Sequence, residues 1–283
     1  SFNGSTANQI QTINAGIKTL ETYYNLTSNN SNGAKGISVA DNFELTVIND
    51  LSLLSGDLRL TGEAQLIQNG VAANPGGGSG KLLKDQQGTK SSFRYNYWSA
   101  PVSTDNVSYS VGDVLKAGTD VTSFPFNPNS IAFGSGPTFA DGVATSPIKL
   151  SSYWLYKYTA ISNSYSSWQF IGTAGTLRIG EGYTMKGTDG TAPFSTVQNY
   201  VFAGKPNNGT INLNISLSQS YLIGNPFASA LNADEFIKDN IRDGGRAASN
   251  AFNGALYFWD HFGGQTHLLN EYIGGYATYT LMG

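Results

Sequence analysis

Along residues 37–66 the apolar positions fall on every second residue: Ile37 and Val39, then Phe43, Leu45 and Val47, then Leu51 and Leu53, Leu58 and Leu60, and Leu66. A period of two puts these side chains on one face of an extended chain, so each burst predicts a short strand with one face buried. Asp41-Asn42, Asn49-Asp50 and Ser55-Gly56-Asp57 separate the bursts. Such residues favour turns, because their side chains bond the local backbone and Asn and Gly tolerate the left-handed region. Short strands with turns this frequent predict solenoid-like rungs over residues 1–70. Upstream, Ile10, Ile13, Ile17 and Leu20 have helical spacing, but the Thr, Asn and Gly between them are poor helix formers. Helix and strand both stand open there.

Residues 71–92 break the pattern with a glycine run followed by mixed charge, which predicts a linker. Residues 93–283 then carry aromatic strands and an internal duplication, with halves of about 93–217 and 218–283. Tyr95–Val102 answers Tyr221–Phe227, aligning Pro101 with Pro226. Trp154–Tyr158 answers Ala255–Trp259, and Phe170-Ile171-Gly172 answers Tyr272-Ile273-Gly274. The first half holds an extra Pro-, Gly- and Ser-rich loop from Asp120 to Pro147. Alternating strands with turns between them predict a β-sandwich of two related halves. The second half is incomplete by this alignment. Its counterpart to Ile179–Met185 is missing, so an edge bearing Tyr276, Thr278, Tyr279 and Thr280 is expected to be covered. A continuation, a neighbouring subunit or a strand from residues 1–30 would serve.

One stretch mixes strand, turn and helix. Tyr221-Leu222-Ile223 is an apolar run ended by Gly224-Asn225-Pro226-Phe227, where Asn225 and Pro226 predict a tight turn. Asn232 is placed as a helix N-cap and Glu235 three residues on completes a capping-box pattern, with Asp234 at the positive helix end. The fold class is therefore all-β: a short β-solenoid-like segment, then a duplicated β-sandwich with one short helix.

Composition narrows the function. Charged residues are 12% of the chain, against an average of roughly 25%, and Gly, Tyr and Phe number 34, 16 and 15. A net charge of −3, with its 16 Lys and Arg scattered singly, gives no footprint for nucleic acid. No apolar run approaches the roughly 18 residues of a membrane span. The absence of cysteine excludes disulfides, thiolate nucleophiles and Cys-based zinc sites. No leader opens the chain, which therefore reads as a mature or excised piece.

Catalytic patterns fail one by one. The two histidines, His261 and His267, have no third ligand at a recognisable spacing and read as structural or solvated. Gly76–Lys81 departs from a phosphate loop at Pro75 and Leu82, and Gly180-Glu181-Gly182 is followed by Met185 where a dinucleotide loop needs Gly. No catalytic residue and no cofactor is expected. Calcium is the one ion the oxygen-rich turns at Asp41, Asn42, Asn49, Asp50 and Asp57 would suit, although no EF-hand spacing is present. Trp98, Trp154, Trp168 and Trp259 are the candidates for stacking on a sugar ring, against a role in core packing.

The string from Tyr221 to Ile237 resembles the GNPYPSALDADEFI segment of large surface proteins that Bacteroidetes export by the type IX secretion system. Asn96–Val102, Trp154–Tyr158, Gly180–Gly187, Asn199–Gly209 and Leu256–His261 match further motifs of that family, in order. Ala228 stands where the longer motif has Pro and Asn232 where it often has Asp, and the family's usual sorting domain is absent. The resemblance implies an extracellular, surface-attached, non-catalytic module with a structural or adhesive role. Its partners would be other segments of the same large protein or neighbouring subunits. The alternative is a carbohydrate-binding module of a polysaccharide-processing protein.

Overall fold

The structure, a computed structural model, describes residues 1–7, 9–13, 19–32, 35–70, 78–118, 127–135, 141–160 and 167–282. Its regular structure is predominantly β-strand, with a four-residue helical turn at Val111–Val114 and one eight-residue helix, Ala233–Asn240. The open helix-or-strand stretch is strand in its described parts, Ile10–Ile13 and Leu20–Asn29.

The bursts of the N-terminal segment pair in parallel with strands one turn of chain away. Ile10–Ile13, Gly36–Val39, Asp57–Leu60 and Leu82–Thr89 form one ladder, with partners Ile10 and Gly36, Gly36 and Asp57, and Leu58 and Leu82. Leu20–Asn29, Glu44–Ser55 and Gln65–Gln68 form a second. The two ladders alternate along the sequence, so every chain return stacks like residues: Ile37, Leu58 and Leu82 are all fully buried. This stacking explains the period of two, since the inward face meets only apolar neighbours.

The polar turns also have a structural use. Asp41 accepts from the Glu63 N–H at 2.8 Å, and Asp57 from the Lys81 N–H at 2.8 Å, each binding the next return of the chain. Asn49 donates to Asn25 at 2.9 Å across the same step. Gly36 holds a φ of +135°, and a Cβ there would strike the Asp57 backbone. Close stacking and a left-handed conformation both demand glycine.

The expected linker is corrected in its second half. Residues 71–77 lie outside the described residues, but Leu82–Thr89 is a strand. It pairs in parallel with Asp57–Leu60 on one side and antiparallel with Val197–Pro206 on the other, from Leu82 against Gly204 to Thr89 against Val197. One eight-stranded sheet thus runs from Ile10–Ile13 through Val197–Pro206 and Leu115–Ala117 to Asn129–Ser130. Its polar strand stays buried because its charges are met. Arg59 and Asp85 form a buried ion pair, Asp85 also accepts from the Gly62 N–H at 2.8 Å, and Lys84 donates to the Gly62 carbonyl at 2.9 Å.

A second sheet contains Trp168–Phe170, Tyr156–Ala160, Tyr183–Lys186 and Tyr95–Trp98, in that order. It faces the first through aromatic contacts: Trp98 lies edge-on to Tyr200 at 5.2 Å and Phe202 at 5.9 Å. Both layers contribute to one buried cluster that also contains the rung leucines.

The two proposed halves do not build equivalent units. Ser220–Tyr221 adds to Tyr156–Ala160, joining the sheet of the first half. Leu256–Gly263 and Ile273–Tyr279 make a separate two-stranded antiparallel ribbon. Both halves contain a hairpin, but Tyr156 faces Phe170 whereas Tyr257 faces Thr278, so the aligned positions do not coincide. Among the described residues no other strand pairs with the ribbon, and the strands of residues 10–29 belong to the rungs. Tyr257, Phe258, Phe262 and Tyr276 stand exposed on it.

Candidate functional site

Titratable and aromatic side chains converge where residues 260–272 fold onto the sandwich. Lys186 ends the strand Tyr183–Lys186, whose four residues are all buried. Its ammonium lies 3.7 Å from the centre of the Trp154 ring, 4.6 Å from that of Tyr95 and 5.1 Å from that of Tyr272. It also meets the Tyr272 hydroxyl and His267 Nδ1, the latter at 3.1 Å. His267 Nε2 lies 2.9 Å from Asp141 Oδ1, which accepts in turn from Ser92 Oγ at 2.7 Å. The carboxylate takes the Nε2–H, leaving Nδ1 as the acceptor of a Lys186 N–H. The imidazole stacks on Trp154 at 5.0 Å and 21°, with Phe93 at 4.8 Å.

Burial sets the electrostatics here. It pushes the Lys186 ammonium down to about 7, with the Asp141 charge pulling the other way. Burial also holds His267 below its ordinary value, opposed by its bond to Asp141 and reinforced by the charge of Lys186. His261 is lowered by burial as well; it stacks on Tyr272 at 4.5 Å and bonds the Gly263 carbonyl.

Lys186 is only 3% exposed, so the arrangement cannot offer its amine to an outside substrate. What it does is join two parts of the fold. Tyr95, Trp154, Asp141 and Lys186 come from the sandwich side, and His267 and Tyr272 from the segment around the ribbon. Cation–π contact within three rings offsets part of the cost of burying the ammonium. The Arg94–Asp260 ion pair adds a second tie, weakened by solvent at its exposed carboxylate. Both histidines are thus packed into this cluster, and neither is isolated. No group of three metal-ligating side chains forms among the described residues.

The turn residues stand where the sequence put them. Asn225 Oδ1 accepts from the Phe227 N–H at 3.0 Å and its Nδ2 donates to the Ser229 carbonyl at 2.6 Å. Asn232 caps the helix, accepting from the Glu235 N–H at 3.1 Å. Glu235 does not complete a reciprocal box; its carboxylate pairs with Lys238 at 3.0 Å and Arg246 at 2.7 Å. Pro226 contributes its carbonyl, which accepts from Asn207 Nδ2 at 2.9 Å.

Asn207 also donates to the Ala100 carbonyl at 3.0 Å and is 2% exposed, so it bolts the two proline turns together. Gln68 Nε2 donates to the Asn207 carbonyl at 3.1 Å, Asn208 Nδ2 to the Gly70 carbonyl at 2.9 Å, and the Leu66 N–H to the Ala228 carbonyl at 2.9 Å. These bonds tie the last rung to both loops around a cleft of about 300 Å³, whose walls include Gln68, Asn69, Asn208, Thr210, Phe227 and Ser229.

The four tryptophans do not share a surface. Trp98 packs between the sheets, and Trp154 is 8% exposed beneath His267. Trp168 packs on Tyr158 at 4.8 Å and Trp259 on Tyr276 at 5.0 Å, both half-buried. Lys186, Asp141, Asn207 and Gln68 were not singled out by sequence reasoning. The only trace was a lysine closing the otherwise uncharged run Tyr183–Met185.

No curated protein and no solved structure matches the chain. The family model described as a domain of unknown function, DUF8693, matches residues 6–281. With nearly its whole length inside that match, the chain belongs to the DUF8693 family.

Proposed function

We propose that this chain is a non-catalytic structural and adhesive module of a large secreted bacterial surface protein. The supporting observation is mechanical: one hydrogen-bonded sheet passes from the parallel rungs into the sandwich, and the Asn207 bonds lock the adjoining loops. Such a body transmits force without a flexible joint at residues 82–89. The polar cluster at Lys186 serves cohesion, holding the aromatic ribbon on the sandwich. One face of the ribbon presents Tyr257 and Tyr276, 57% and 68% exposed, on either side of Trp259 as an uncharged contact for a neighbouring segment or subunit. Beads coated with the full chain should cluster through it. Replacing Tyr257 and Tyr276 together by Ser should weaken clustering by about tenfold or more, since each aromatic contributes on the order of 1.5–3 kcal/mol when covered. Equal clustering by the variant would contradict this role.

The cleft favours a second reading, a carbohydrate-binding module. Amides, hydroxyls and one phenyl ring, with no charged side chain among its lining residues, suit a neutral sugar. The tryptophans then have no part in binding. Titration with glucose, galactose and mannose tests it: saturable binding lost in Thr210→Trp, where an exposed residue would fill the cleft, supports this reading. Binding that survives the substitution, or none at all, removes it.

A further inference from the structure

We propose that the contact between Lys186 and His267 is an acid-sensitive clasp, and that protonation of His267 frees residues 256–279 from the sandwich. The geometry is specific. Neutral His267 offers a lone pair at Nδ1 to the ammonium 3.1 Å away, while its other nitrogen is committed to Asp141. A protonated ring carries N–H at both positions, so two donors and two positive charges face each other inside a box of rings.

Lys186 and Asp141 bond the His267 ring directly, Trp154 and Phe93 pack on it, and the other polar and titratable groups of the cluster reach it through Lys186, Asp141 or Tyr272. Lys186 belongs to the strand Tyr183–Lys186, and Tyr95 to Tyr95–Trp98. Asp141 and Ser92 come from the loops beside them, and Tyr272 and His261 from the ribbon segment. Asp141 is the only anion bonded to the ring among the described residues, and its carboxylate is 57% exposed, so solvent screens its attraction for the new charge. Lys186 is 3% exposed and is not screened in this way. The repulsion therefore outweighs the compensation. Burial already holds His267 below its ordinary 6.5, so proton uptake lies on the acid side of that value.

Release stays local because of how the ribbon is attached. Its strands pair only with each other among the described residues, and its other ties include the exposed Arg94–Asp260 pair and the Tyr279–Asp234 hydrogen bond at 2.8 Å. Losing the clasp leaves the buried sandwich and rungs intact. Acid release does not depend on adhesion or sugar binding and can fail without touching either.

Hydrogen exchange on the full chain at about pH 6.5, where Lys186 is already an ammonium, and at about pH 5, corrected for intrinsic rates, decides it. Protection in Leu256–Gly263 and Ile273–Tyr279 should fall by about tenfold or more at the lower pH, as the protonated, released form gains population. Gly36–Val39 should not change. His267→Gln stays neutral and can still accept a bond, and Lys186→Met removes the second cation; either should hold the ribbon's protection within about twofold across the same range. No acid-dependent loss in the natural chain, an equal loss in the rungs, or a loss that persists in either variant would overturn the clasp.

Discussion

Asn225 uses both ends of its amide on one turn, accepting at Phe227 and donating at Ser229, while Asn207 uses its amide to join two turns from different loops. Removing a side chain that leaves such backbone groups unmet costs about 1–3 kcal/mol. Asn225→Ala should therefore lower the unfolding free energy by about 1 kcal/mol or more, measured by the urea midpoint; an unshifted midpoint would show that the turn stands without it. Lys186 gives a pH-dependent prediction of opposite character. Its folded value of about 7 lies below the ordinary 10.5, so between those values the unfolded chain holds a proton that the folded chain lacks. Stability from this group therefore rises as pH increases from about 7 to 10.5 and is flat below that window. Lys186→Met should remove that slope in urea unfolding at about pH 7 and about pH 10. An unchanged slope would mean that other groups carry it. The residue scale also shows what sequence can reveal. Asn225 and Asn232 were legible because a turn or cap is local, with donor and acceptor within four residues. The Lys186 box was not, because its members at 95, 141, 154, 267 and 272 meet only after the ribbon folds back.

At the scale of elements, the apolar alternation was legible wherever one face met only apolar neighbours, as in Glu44–Ser55 with Leu45, Val47, Leu51 and Leu53 buried. Leu82–Thr89 escaped because its buried positions include Asp85, whose cost is offset by Arg59 one return of the chain earlier. A linker and a buried polar strand look alike until the partner is known. Breaking such a pair leaves an uncompensated charge, so Asp85→Ala should destabilise by about 3–5 kcal/mol, read from the thermal or urea midpoint. A loss under about 1 kcal/mol would mean that water reaches Arg59. The duplication illustrates a different limit. Similar aromatic strings can form similar hairpins in different surroundings, and their packing follows the sheet each can join. The first hairpin finds Tyr183–Lys186 beside it; the second finds no further strand among the described residues.

For the molecule as a whole, the rungs and the sandwich share one sheet and one buried cluster, although the sequence divides them at residues 71–92. That continuity underlies the reading of a force-transmitting surface module, because two independently folding pieces would yield at the joint. All four tryptophans lie between residues 98 and 259, so fluorescence reports on the sandwich and ribbon, whereas amide exchange in Gly36–Val39 and Glu44–Ser55 reports on the rungs. Following urea unfolding by both probes on the same sample tests the shared body directly. Coincident midpoints for rungs and tryptophans are expected. Rungs that lose protection at distinctly lower urea than the tryptophan transition would show two separate units and contradict it.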